Sequence, residues 1–328
     1  MPPLALVTGA TGCVGANVVA ALVTRGYRVR ALRRRSSSLT ALEPMDPEVV
    51  VGDLLDSASL AAATEGCELV FHVGAVSDWW RVPAARIYEV NVEGTRNVVQ
   101  AAMAARVERL VYTSSIGALG MPPTGQQLDE SATFNLPPRR FVYGHSKHLA
   151  EQIVQKAVST GMDAVIVNPT SVIGARDVNF IGGTLVRDVK RGLGWVTFPG
   201  GLNWVDAEAV GLGHVLAAER GRSGSRYILG GENVSHRRAM EIVAEVVDGR
   251  KPLLTLPRIL VRPAAALFDG LNAIRPGATM ISGEQARLSG EFIYANCELA
   301  RQQLGFPLVR FRSGVANAFA WYQAHGYL

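Results

Sequence analysis

The chain has 328 residues, 48% of them hydrophobic and 19% charged, with a formal net charge of +5. That is long and apolar enough for a large buried core plus a smaller second unit, and far from the composition of a disordered chain. No run of about 18 uncharged apolar residues occurs, so no membrane-spanning helix is indicated, and the scattered Cys13, Cys67 and Cys297 and six histidines show no metal-ligand spacing.

The segment Met1–Gly9 has no basic leader region and runs straight into a strand, so no secretory signal is expected. Free thiols in a reducing compartment, the cytoplasm, are the matching expectation. An isoelectric point near 9.3 raises nucleic acid as a partner. The arginines, however, are dispersed among Ala, Val and Gly, so compositional bias is the reading and no nucleic-acid partner is expected. One cluster stands apart: Arg25, Arg28, Arg30, Arg33, Arg34 and Arg35 fall within eleven residues.

In chain order, Leu4–Thr8 reads as a strand and residues 13–25 as a helix. Strands at Arg28–Leu32 and Val49–Val51, a helix over 57–65 and a strand at Leu69–Val73 follow. A helix over 84–105, a strand at Arg109–Thr113, a helix over 143–160 and a strand at Asp163–Asn168 complete the series. This alternation predicts an α/β fold with a doubly wound parallel sheet. The unbroken apolar runs Leu69-Val70-Phe71 and Leu110-Val111-Tyr112 fit strands covered on both faces. After Pro169 the alternation stops and Gly and Pro become frequent. A strand-like Tyr227-Ile228-Leu229 and helices over 235–248, 258–273 and 313–325 follow, the last expected simply to pack. Residues 1–168 and about 205–230 are therefore expected to form a cofactor-binding domain, and about 169–204 and 231–328 a smaller C-terminal substrate lobe.

Thr8-Gly9-Ala10-Thr11-Gly12-Cys13-Val14-Gly15 joins the first strand to the first helix. Glycines in such a loop let backbone N–H groups approach a pyrophosphate at a helix N-terminus, so Gly9, Thr11, Gly12, Cys13, Val14 and Gly15 are candidate cofactor contacts. Cys13 is expected to be an inert thiol. NAD sites place an acidic residue after the second strand, whereas Arg accepts a 2′-phosphate. No Asp or Glu occurs between Gly15 and Glu43, and Arg33 lies eighteen residues beyond Gly15. Arg33 and Arg34, with Ser36 as helper, therefore favour NADP(H) over NAD(H). Asp53, followed by Leu54, either accepts from the adenine amino group or forms a turn or cap before Ser57. Val73, Gly74 and Ala75 offer little bulk where the chain passes close to ribose and phosphates, and His72 beside them is expected to pack. Thr113-Ser114-Ser115 ends the fifth strand, at the sheet edge where open α/β folds bind ligands. A hydroxyl there would hydrogen-bond a carbonyl that becomes an alkoxide.

Tyr143 and Lys147 stand four residues apart, on one face if their segment is helical. An ammonium beside a phenol favours the phenolate, which suits Tyr for proton transfer. Taken together, Gly9-x-x-Gly12-x-x-Gly15, Asp53, Asn91-Val92-Glu93-Gly94-Thr95, Ser114-Ser115, Tyr143-x-x-x-Lys147 and Asn168-Pro169-Thr170 resemble the extended short-chain dehydrogenase/reductases. Within that family the chain looks most like the dihydroflavonol reductase-like branch. It is also similar to hopanoid-associated sugar epimerase-type proteins, through Tyr227–Asn233 and the Trp321-Tyr322…Gly326-Tyr327 ending. The resemblance implies a Rossmann domain and a homodimer paired through the helices at 84–105 and 143–160. It also implies Tyr143 as general acid/base, Lys147 on the nicotinamide ribose, and Ser115 (or Ser114, one residue back) polarising the substrate oxygen. Thr113, Pro169, Thr170 and Ser171 would line the nicotinamide, with Asn91 positioning backbone or water.

Dehydratases of the family carry an Asp-Glu pair after the catalytic hydroxyl; here Ile116-Gly117-Ala118 stands there, so elimination is not expected. Nucleotide-sugar epimerases carry a longer insert after the Asn-Pro segment and an Arg for the diphosphate, for which only Arg176, Arg187 and Arg191 offer substitutes. Ser77, Trp79, Trp80, Phe180 and Trp195 suggest an apolar, aromatic-compatible substrate pocket, although packing accounts for each aromatic equally well. The leading expectation is an NADP(H)-dependent reductase of a small-molecule aldehyde or ketone. The alternative is a nucleotide-sugar epimerase, followed distantly by a cofactor-binding protein without turnover.

Overall fold

The computed structural model describes residues 2–275, 279 and 281–328. Its centre is a seven-stranded parallel sheet in which apolar residues dominate. Six of its strands lie before residue 170: β1 (Leu4–Thr8), β2 (Arg28–Arg33), β3 (Glu48–Val51), β4 (Leu69–His72), β5 (Arg109–Thr113) and β6 (Ala164–Pro169). The rest of the chain adds β7 (Ser171–Ile173), β8 (Val196–Thr197), β9 (Gly201–Asp206), β10 (Arg226–Leu229), β11 (Glu232–Ser235), β12 (Leu254–Thr255) and β13 (Phe292–Ile293). The large sheet runs β10-β6-β5-β4-β1-β2-β3. Its order reverses between β1 and β4, and an open α/β sheet binds ligands beyond the strand ends at such a point.

Every residue of β1 and β6 is buried, as central strands covered on both faces require. The period of two then assigns alternate residues to opposite layers. Ala5 and Val7 pack with helices α1 (Cys13–Thr24) and α7 (Ala207–Arg220), whereas Leu4 and Leu6 pack with α2 (Ser57–Thr64), α4 (Gly94–Ala104) and α5 (Val142–Ser159). The expected helix over 84–105 is not continuous. It consists of α3 (Ala84–Tyr88), one π-helical turn at Glu89–Glu93 and then α4. Asn91 sits in the π turn, and such turns re-aim side chains at functional sites.

After β6 the chain forms a smaller sheet in which β9 pairs antiparallel with β11 and parallel with β7 and β13. Helices α6 (Thr184–Lys190), α8 (His236–Val247), α9 (Arg258–Ile274), α10 (Gly283–Ser289), α11 (Glu298–Leu304) and α12 (Phe311–Ala324) are its companions. Ile173, Val189, Val243, Phe311, Val315 and Tyr322 form a core of their own, so α12 packs as its apolar pattern predicts. β10 returns to pair with β6, and α7 precedes it.

Candidate active site

One cleft of about 1880 Å³ runs along the carboxyl edge of the large sheet and on beneath the lobe helices. At one end lies the glycine loop. Gly9 has φ +64°, and a Cβ there would lie 2.6 Å from Gly74 Cα; one on Gly15 would lie 2.1 Å from the Gly9 carbonyl oxygen. Side chains are thus excluded where β1, β4 and α1 converge. Gly12 begins α1 with no side-chain cap and no acidic residue in the first turn. The first N–H groups of the helix therefore face the cleft unscreened, and an anionic group is their natural partner. Thr11, Cys13 and Val14 line the same wall. The Cys13 thiol is pushed well up by burial and by Asp177 and Asp206, which keeps it protonated.

Thr8, whose Oγ1 accepts from the backbone N–H groups of Val73 and Gly74, holds the loop after β4. Its hydroxyl proton must then go to His72 Nδ1, 2.8 Å away. The Thr95 hydroxyl donates to the Asn91 carbonyl at 2.6 Å and so accepts from His72 Nε2 at 3.0 Å. These partners fix the imidazole tautomer, and burial lowers its pKa to about 3. His72 is a neutral brace, as expected.

The arginine cluster divides by role. Arg25 pairs with Glu219, and Arg30 pairs with Glu48 while donating to the carbonyls of Ala63 and Glu65 at the end of α2. Arg33 folds back, its Nη1 donating to the carbonyls of Arg34, Arg35 and Ser37. Arg34 is exposed and lines the cleft, and its guanidinium makes no hydrogen bond or ion pair among the described residues. Asp53 Oδ1 accepts from Leu55 N at 2.9 Å, while Asp56 caps α2. The turn role at Asp53 is therefore present and the helix-cap role belongs to Asp56. Asp53 and Leu54 also line the cleft. An uncapped helix start and a wall closed to Cβ atoms suit a nicotinamide dinucleotide, and these residues would hold one.

At the middle of the cleft, β5 delivers Thr113, Ser114 and Ser115, and α5 delivers Tyr143 and Lys147. Burial raises the Tyr143 phenol, and the Ser115 hydroxyl beside it draws it partly back. Lys147 is 2% exposed, with Nζ 4.5 Å from the centre of the Tyr112 ring. Burial lowers its pKa to about 7, against the pull of Glu151. The expected direction for Tyr143 is therefore reversed: desolvation pushes both groups toward neutrality, and it outweighs any help the ammonium gives the phenol. Of the two serines, Ser115 approaches Tyr143. Ser114 is buried, and its Oγ lacks a partner among the described residues, as does Thr170 Oγ1 beyond the end of the neighbouring β6. Pro169 and Ser171 line the same stretch, as do Ala75 and Ser77.

Behind these residues is a network that the sequence reading missed. Glu151 lies one turn past Lys147, accepting from Asn168 Nδ2 at 2.7 Å and pairing with Arg226 at 3.1 Å. Asn168 Nδ2 also donates to the Ser115 carbonyl at 2.9 Å. Strands β6 and β10 thus fix the backbone of Ser115 and place a carboxylate beneath Lys147. The available signal was the four-residue step Tyr143, Lys147, Glu151 on one helical face. Asn91 does what its position suggested, accepting from Val76 N at 2.7 Å and donating to Val76 O and Ser146 Oγ. It ties the 74–83 segment to α5.

That segment brings Trp79 and Trp80 to the cleft. Trp79 packs edge-on against Phe141 at 5.3 Å, and Phe141 lies 6.1 Å from Tyr143, which makes Phe141 a wall residue that the sequence reading omitted. Phe180 and Trp195 are not cleft residues. Phe180 stacks on Tyr322 at 4.5 Å within the lobe core, and Trp195 is 61% exposed. Arg176, Arg187 and Arg191 also lie outside the lining: Arg176 contacts Asn17 and Glu208, and Arg187 pairs with Asp188 and lies over Phe180. Beyond Tyr143 the far half of the cleft is walled by Leu185, Val189, Met240, Phe268, Ile281 and Leu288.

This chain matches the model of the NAD dependent epimerase/dehydratase family over residues 5–230. It is 36% identical to a Synechocystis sp. protein provisionally named a dihydroflavonol 4-reductase, covering 98% of this chain and 95% of that one. It is 33% identical to sterol demethylase protein B of Methylococcus capsulatus, covering 98% of each. The solved structure of gox2253 superposes with a TM-score of 0.87 at 34% identity, covering 99% of both chains. The chain belongs to the NAD dependent epimerase/dehydratase family.

Proposed function

We propose that the protein is an NADP(H)-dependent reductase that converts an aldehyde or ketone on a largely apolar small molecule to the alcohol. The observation that carries this reading is the convergence of Ser115, Tyr143 and Lys147 at the point where the dinucleotide half of the cleft meets its apolar half. The cofactor, when bound, supplies the hydride. Ser115 Oγ orients the substrate oxygen, and the Tyr143 hydroxyl gives that oxygen its proton as negative charge develops. Lys147 offers the positive charge that stabilises the resulting phenolate. The apolar far wall supports reduction over epimerisation of a nucleotide sugar: a diphosphate needs free cations, whereas Arg176, Arg187 and Arg191 lie outside the cleft and Arg81 and Arg86, which line it, are paired with Asp78 and Glu89. A panel of aldehydes, ketones and nucleotide sugars with NADPH is expected to show one cofactor oxidised per alcohol formed with a carbonyl compound. An epimerised sugar without net NADPH oxidation would overturn the proposal.

Arg34 carries the cofactor preference. As a free cation on the cleft wall beside Ser36, Ser37 and Ser38, it suits a 2′-phosphate, while Arg33 braces the loop that presents it. Arg34→Ala is expected to weaken NADPH binding by about 10- to 100-fold, the usual worth of a charge-assisted hydrogen bond, and to leave NADH binding nearly unchanged. Fluorescence titration measures both. Equal losses for the two cofactors, or a wild-type preference for NADH, would remove Arg34 from this role.

A further inference from the structure

Helix α9 lines the cleft with one face and leaves an apolar face uncovered on the other. Val261 and Ala265 are buried and Phe268 lines the cleft. On the outer side, Ile259 is 83%, Leu267 60% and Ile274 85% exposed, and Leu260 and Leu271 are exposed with them. At 3.6 residues per turn these five fall within an arc of roughly 120°, together with Pro263 and Gly270. No charged side chain interrupts the arc. Exposed Leu254 precedes the helix on β12, opposite Val196, and exposed Leu253 just before it hydrogen-bonds through its N–H to the Trp195 carbonyl. An apolar surface this continuous is unusual for a face that meets only water.

Charge identifies the partner. Residues 250–291 contain six basic residues (Arg250, Lys251, Arg258, Arg262, Arg275 and Arg287) and three acidic ones (Asp269, Glu284 and Glu291), a net +3. Each acid is held in an ion pair: Asp269 and Glu284 with Arg287, and Glu291 with Arg258. Arg262 flanks the stripe, exposed and without an ion pair among the described residues. A second copy laid face to face would oppose like charges, whereas an anionic lipid surface would neutralise them. No helix among the described residues is long and apolar enough to cross a membrane, so the arrangement fits a helix lying in the interface plane.

We infer that α9 docks the protein on an anionic bilayer surface, with Ile259, Leu260, Leu267, Leu271 and Ile274 entering the headgroup–acyl boundary and Arg262 meeting lipid phosphate. Docking there sets the apolar half of the cleft, walled by Phe268 of the same helix, next to the bilayer. The inference rests on the exposed face alone and stands whether or not the reductase reading holds.

The full-length protein should co-sediment with phosphatidylglycerol/phosphatidylcholine vesicles and only weakly with pure phosphatidylcholine. Replacing both Ile259 and Ile274 with Ser should reduce partitioning at least about tenfold, given the apolar area each would bury. Arg262→Gln should weaken it several-fold at low salt, with the difference shrinking as salt rises. Met103→Ser, which alters an exposed apolar residue on α4, should change nothing. Circular dichroism and the unfolding midpoint establish that each variant is folded. Failure of the folded wild type to sediment with either vesicle overturns the inference, as does equal binding to both. A concentration-dependent dimer dissociated by the double Ser variant, without vesicle binding, would overturn it in favour of a second copy.

Discussion

Tyr143→Phe is expected to lower turnover by about 10²- to 10⁴-fold, the usual contribution of a positioned acid or base, while NADPH affinity stays nearly unchanged. The substitution removes one hydroxyl and keeps the ring, so the edge contact with Phe141 survives. The phenol is half-buried on the cleft wall, and the Ser115 hydroxyl is the group that draws its pKa down from the level set by burial. Its removal therefore leaves Ser115 with its bond from Gly117 N and leaves the dinucleotide wall untouched. Single-turnover kinetics with a reducible carbonyl and a parallel NADPH titration separate chemistry from binding. Activity within a few-fold of wild type would remove Tyr143 from the mechanism; a matching loss of NADPH affinity would recast it as a binding residue.

The parts of this molecule that were legible in the sequence are those set by local patterns. Leu4–Thr8, Arg109–Thr113 and Ala164–Pro169 are short β-branched or apolar runs, and period and composition alone identify them as buried strands. The glycine loop is legible because excluded Cβ atoms leave a mark in residue type. Helix α7 was not legible, since Gly211 and Gly213 interrupt its apolar pattern and its packing against α1 is a long-range event. The π turn at Glu89–Glu93 is equally hidden, because a single wider turn between two helices leaves no mark in residue type. Phe180 and Trp195 show the limit for site residues: an aromatic in a Gly-rich segment suits a lobe core, a surface and a pocket alike. Only the position of Tyr322 decides for Phe180. The Arg226–Glu151–Asn168 network joins residues 75 and 17 positions apart, a separation that spacing rules do not reach.

Lys147→Met is expected to stabilise the protein while abolishing catalysis, and the size of the gain should depend on pH. The wild-type ammonium is enclosed against the Tyr112 ring, with no carboxylate within ion-pair distance among the described residues. Glu151 attracts it, but both carboxylate oxygens are already engaged by Asn168 and Arg226. The balance leaves the folded pKa at about 7, against an ordinary value of 10.5. Between those two values the unfolded chain binds the proton that the native state has lost, so wild-type stability rises with pH across that window. Below pH 7 both states carry the charge and the burial penalty is present in full; above about 10.5 it has gone. Met fills nearly the same volume without a charge. Its advantage should therefore be greatest at or below pH 7, of the order of 3 kcal/mol after discounting for relaxation around the ammonium, or roughly 5 °C in unfolding midpoint. It should shrink steadily toward pH 10. Paired denaturation curves at pH 6 and pH 10 measure this directly. If Lys147→Met is less stable than wild type at pH 6, the ammonium is a net stabiliser of the fold and its place in the site is structural. If the pattern appears and turnover is lost, the protein retains a destabilising buried charge for the chemistry it performs at Tyr143.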